Sequence, residues 1–76
     1  MFKNLNHTKM EKIIEYLTER INYLKQIEME MFHKQYEFPH GHVLRKQYRE
    51  VSNEFMARRY ELEEVVKFLN DQKRQA

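Results

Sequence analysis

The chain has 76 residues with 14 Lys and Arg against 12 Asp and Glu, a net charge of +2, and no cysteine. That length allows one domain. The missing thiols exclude disulfides, thiolate metal sites and cysteine nucleophiles, and the weak, interleaved charge argues against a nucleic-acid-binding role. No unbroken apolar run exceeds three residues, so neither a membrane span nor a signal peptide is expected, and the composition fits a cytoplasmic protein.

Residues 1–7 read as a short tail in which Phe2 and Leu5 are apolar. Thr8-Lys9-Met10-Glu11 has the spacing of a capping box, which places the start of helix 1 at Lys9. Helix 1 is expected over about residues 9–36. Met10, Leu17, Leu24 and Met31 recur every seven residues, and Ile13 and Ile27 fall three after the first and third of them. We label these columns a and d. Arg20 and Lys34 are the other d positions, and Ile14 and Ile21 sit beside the seam at e. The resulting stripe is about 100° wide, which suits a core-facing helix. Lys25 with Glu28, and Glu30 with Lys34, have helical pair spacing.

The only proline and the only glycine of the chain lie in Glu37-Phe38-Pro39-His40-Gly41-His42. Pro39 disfavours helical geometry at Phe38, and Gly41 can take positive φ. A connection this short, over about 37–42, forces the two flanking helices to be antiparallel neighbours.

Helix 2 is expected over about 43–72. Leu44, Tyr48, Val51, Phe55, Leu62, Val65 and Leu69 follow alternating steps of three and four, interrupted by Arg58. Arg59, Glu63 and Lys67 make an i, i+4 ladder. Folding about the turn pairs residues whose numbers sum to about 80: Met31 with Tyr48, Ile27 with Val51, Leu24 with Phe55, Leu17 with Leu62, Met10 with Leu69. The fold class expected is therefore all-α, an antiparallel two-helix hairpin that dimerises into a four-helix bundle.

Three groups of residues are left over from such a hairpin. Ile14, Tyr16, Ile21, Tyr23, Val66 and Phe68 flank the seam, covered either by Phe2 and Leu5 or by a second copy; an oligomer interface is the expectation. Arg20 and Arg58 form a polar layer in or at the edge of the seam, with Glu54 and Glu61 one turn from Arg58. Met29, Phe32, Tyr36, Met56 and Tyr60 make an outward apolar patch suited to a partner protein.

Chemistry-bearing motifs are scarce. His33, Glu37, His40 and His42 cluster at the turn, and imidazole with carboxylate can ligate zinc, but the spacing matches no defined metal motif. No metal, no cofactor and no catalytic residue is expected. Arg45, Lys46, Arg49, Arg58 and Arg59 are the candidates for contact with nucleic acid, spread around helix 2 among five glutamates.

In length and two-helix plan the chain resembles the small aspartyl-phosphate phosphatases of the sporulation phosphorelay. That family carries Ser-Gln-Glu-Leu-Asp at the start of its second helix, where this chain has Arg45-Lys46-Gln47-Tyr48-Arg49. The acidic residues are absent, and no functional residue is carried across. The resemblance implies a phosphorelay regulator as an alternative to the principal expectation, a non-catalytic protein-interaction module working as a homodimer. A weak nucleic-acid-binding dimer is a second alternative.

Overall fold

A computed structural model describes residues 7–75 and shows an all-α hairpin. Helix α1 spans His7–Lys34 and helix α2 spans Val43–Gln75, with a 3-10 turn at Gln35–Glu37 between them. At about 1.5 Å per residue the 33 residues of α2 give a rod close to the 53 Å long axis of the molecule. Among the described residues no helix is long and apolar enough to cross a membrane.

The connection follows from its two special residues. Phe38, ahead of Pro39, is extended at φ −120° and ψ 145°, as the proline ring requires. The His42 N–H donates to the Pro39 carbonyl at 3.1 Å and Gly41 has φ 83°, the pattern of a type II turn with glycine at its third position. His42 then caps α2: its Nδ1 accepts from the Leu44 N–H at 3.1 Å. Phe38 stacks on Tyr48 with ring centres 5.8 Å apart, and Arg45 donates to the Phe38 carbonyl at 3.1 Å. Chain reversal is thus tied to the first turns of α2.

The register agrees with expectation. The Ser52 hydroxyl donates to the Glu28 carbonyl at 3.1 Å, which sets Ser52 opposite Glu28 as a sum of 80 requires. Among the described residues Met10, Leu24 and Leu69 are the buried hydrophobics; Met10 and Leu24 are a positions, and Leu69 belongs to the facing column of α2 that recurs every seven residues as Tyr48, Phe55, Leu62 and Leu69, called a as well, with d and e three and four residues after each.

Two details differ from the expectation. The contact line of α1 runs through Met10, Ile14, Leu17, Ile21, Leu24, Glu28, Met31 and Gln35, and that of α2 through Arg45, Tyr48, Ser52, Phe55, Arg59, Leu62, Val66 and Leu69. The a columns are shared with the expected seam, but they are joined by e positions in place of d. Ile13, Leu44 and Val65 are consequently exposed, as are Arg20 and Arg58. Helix α1 also includes Thr8 and His7, so Thr8 lies inside the helix and does not cap it. The covering role considered for Phe2 and Leu5 falls outside the described residues.

Candidate protein-interaction surfaces

Two ion pairs join the helices among the described residues: Lys73 Nζ lies 3.1 Å from Glu11 Oε1 towards the open end, and Arg59 pairs with Glu28 in the half nearer the turn. Arg59 Nε donates to Glu28 Oε2 at 2.8 Å and Nη2 to Oε1 at 3.3 Å, a two-pronged contact between the helices. Its Nη1 donates to Glu63 Oε1 at 2.9 Å, one turn along α2. The Arg59 and Glu28 side chains are only 13% and 15% exposed. The hydrogen bond to Glu28, then that to Glu63, holds the Arg59 pKa above its ordinary value, against desolvation, which lowers it. A planar guanidinium suits this geometry where an ammonium would not. The same arginine lies over the Tyr60 ring at 4.7 Å.

Next to this pair is a groove between the helices. It has a volume of about 390 Å³ and is lined by Glu28, Met29, Phe32, His33, Ser52, Asn53 and Met56. Tyr36 meets Phe32 edge to face at 5.6 Å and prolongs the apolar wall towards the turn. The structure therefore brings the five residues Met29, Phe32, Tyr36, Met56 and Tyr60 to one side of the hairpin. Four of them, all but Met56, are exposed.

The opposite side carries the displaced d positions. Turning 100° per residue puts Ile13, Tyr16, Arg20, Tyr23 and Ile27 on this side of α1, and Leu44, Val51, Arg58, Val65 and Phe68 on this side of α2. Tyr16, Tyr23 and Phe68 of the expected oligomer set belong here and are exposed, whereas Ile14, Ile21 and Val66 are part-covered in the hairpin seam. Arg20 lies over Tyr23 at 5.2 Å and Arg58 over Phe55 at 5.5 Å. The seam arginine is Arg59, not Arg58, because Glu28 gives the former a partner across the interface.

The turn histidines are dispersed in role. His33 meets Phe32 edge to face at 5.7 Å, and His42 is committed through Nδ1 to its cap. Among the described residues no group of three or more His, Cys, Asp or Glu side chains is placed to hold a metal ion. His40, His42, Arg45, Lys46 and Arg49 line a second, shallow cleft of about 350 Å³ at the turn. The helix 2 cations do not form one stripe: Arg45 is bound to the turn, Lys46 sits 3.9 Å from Glu50, Arg59 is in the seam and Arg58 is on the far side.

Sequence reasoning missed the Glu28–Arg59 pair and the small buried residue Ser52. Each was visible only as an i, i+4 or surface position until the e columns were known to face each other. The chain matches no protein-family model, no characterised protein and no solved structure.

Proposed function

We propose that this chain is a small protein-interaction module that dimerises through its Ile13–Val65 side and binds another protein through the groove on the other, without catalysis of its own. One observation carries the reading: the hairpin leaves many of its large apolar residues uncovered, on two opposite sides. Among the described residues Met10, Leu24 and Leu69 alone are buried hydrophobics, against eleven large hydrophobic side chains that stay exposed. The accessible surface is 6120 Å² for 9.6 kDa, where a compact monomer of that mass would expose about 5,100 Å². The surplus of about 1,000 Å² is the scale of one partner's share of a standard interface, about 800 Å².

Dimerisation gives Arg58 a place. Glu54 and Glu61 flank it on α2, so a two-fold contact along this side brings the carboxylates of one copy to the guanidinium of the other. Sedimentation equilibrium tests the assembly: mass should rise from 9.6 kDa towards twice that value with concentration. A monomer mass at every concentration, with full helicity, refutes it. Incubation with a phosphorylated receiver domain tests the phosphorelay alternative; unchanged phosphate is expected, because residues 45–49 carry no carboxylate. The proposal includes a cytoplasmic location, which cell fractionation checks.

A further inference from the structure

We infer that the hairpin turn carries a pH-operated latch: His42 holds the start of α2 only while its imidazole is neutral, and acidification releases it. The latch belongs to the single hairpin and is independent of both proposed surfaces.

The capping atom decides this. Helix N-caps are ordinarily Ser, Thr, Asp or Asn, whose side-chain oxygens accept a hydrogen bond throughout the neutral range. Here the acceptor for the Leu44 N–H is His42 Nδ1, at 3.1 Å. A ring nitrogen accepts only when it carries no proton, so the capping ring holds its hydrogen on Nε2. Imidazolium donates from both nitrogens. Two donors then face each other, and the Leu44 N–H loses its partner. Histidine is the side chain that takes up a proton between about pH 5 and 8.

The surroundings add to the effect. Helix α2 has no acidic residue in its first turn, and positive charge at a helix N-terminus opposes the helix dipole. His42 shares its cleft with His40, Arg45, Lys46 and Arg49, and no carboxylate of the described residues lines it. Neither α1 nor the 3-10 turn contributes a lining side chain. The nearest carboxylate partner is Glu50, 3.9 Å from Lys46. One contact works the other way. The Phe38 ring centre lies 5.1 Å from that of His42, and an aromatic ring attracts a cation. That attraction is comparable with the dipole effect alone, and leaves the lost hydrogen bond uncompensated. The bond from the His42 N–H to the Pro39 carbonyl and the Phe38–Tyr48 stack do not involve Nδ1. Release therefore loosens the first turn of α2 and keeps the hairpin closed.

The test uses the full chain at one fixed concentration, with urea midpoints and an NMR titration from about pH 8 to about pH 5. The Leu44 amide signal should move with the same midpoint as the His42 ring, and its exchange protection factor should fall. Over this range the unfolding constant of the wild type should rise about fourfold more than that of His42→Asn, whose side-chain oxygen caps at either pH. His42→Ala has no cap at any pH, so it should start weaker at the alkaline end and show only the smaller rise of His42→Asn. His40→Asn should keep the full wild-type response. Stability from the cap is present above the histidine range and lost as pH falls through it, the sign required when only the neutral form makes the contact. Equal pH dependence in wild type and His42→Asn overturns the inference. So does a Leu44 amide signal that ignores the His42 titration, or loss of the response in His40→Asn.

Discussion

Removing Arg59 should cost this hairpin a large part of its stability, and the size can be worked from its contacts. Truncation at Arg59 strips Glu28 of both its cross-helix hydrogen bonds while leaving that carboxylate 15% exposed. Breaking a fully buried pair costs about 3–5 kcal/mol. Since both side chains keep an edge in water, about 2–3 kcal/mol is the better figure. The contact to Glu63, which is 41% exposed, adds at most about 0.5 kcal/mol. A chain of this size has a total stability of about 4–11 kcal/mol, so Arg59→Met should lower the melting temperature by about 10–20 °C. Urea unfolding followed by circular dichroism, at one fixed protein concentration so that assembly does not shift the midpoint, measures the loss. A double-mutant cycle with Glu28→Met should recover most of it, because two apolar side chains leave no stranded charge. The sign of any pH effect follows from the raised Arg59 pKa. A raised pKa stabilises the fold at every pH below the ordinary arginine value, and that gain is lost only as pH rises far above neutrality. The Arg59 contribution should therefore be flat between about pH 6 and 9. Wild-type stability in Arg59→Met, or a coupling energy within about 0.5 kcal/mol of zero, would refute the argument.

Other positions give sharper local tests. Ser52 is 5% exposed and its hydroxyl reaches the backbone of α1; Ser52→Ala should cost about 0.5–1.5 kcal/mol, and Ser52→Leu about 1–3 kcal/mol by forcing the helices apart, both read from urea midpoints. Gly41→Ala meets no atom within 4 Å, yet should lose about 1 kcal/mol because alanine resists positive φ. His42→Ala should lose about 1 kcal/mol through its cap, with His42→Asn close to wild type. Arg58→Glu should leave hairpin helicity intact, since the side chain is exposed, but place like charges beside Glu54 and Glu61 and shift sedimentation towards monomer.

Much of this molecule is legible from residue types alone. Pro39 and Gly41 locate the reversal because each restricts or frees one backbone angle in a way that packing cannot override. The seven-residue recurrence of Met10, Leu17, Leu24 and Met31, matched by Tyr48, Phe55, Leu62 and Leu69, determines the register because only one alignment superposes the two columns under a short turn. The five-residue patch of Met29, Phe32, Tyr36, Met56 and Tyr60 could be read from spacing, but not that it forms a groove between helices, which depends on how each helix is rotated about its axis. That rotation is where periodicity gave the wrong partner column. Apolar content favours d, with Ile13, Ile27, Leu44, Val51 and Val65, over e, where Ile14, Ile21 and Val66 stand with Glu28, Gln35, Arg45, Ser52 and Arg59.

Charge decides between the two rotations. The d columns contain Arg20, Lys34 and Arg58 and no carboxylate, so turning them inward would bring Arg20 towards Arg58 with no carboxylate in the facing columns to pair with either. The e columns contain two polar pairs that meet across the seam, Glu28 with Arg59 and Ser52 with the Glu28 carbonyl, although the buried Gln35 Nε2 has no hydrogen-bond partner. An unpaired buried charge costs more than the burial of an isoleucine or a valine returns, about 1.5–3 kcal/mol per side chain. The hairpin therefore gives up apolar area inside itself to avoid stranded cations. The same choice leaves the richer apolar columns on its outside, with arginines among them that have cation–π contacts but no ion pair with another described residue. The surface proposed for a second copy is thus the direct consequence of how the first copy resolved its own charges.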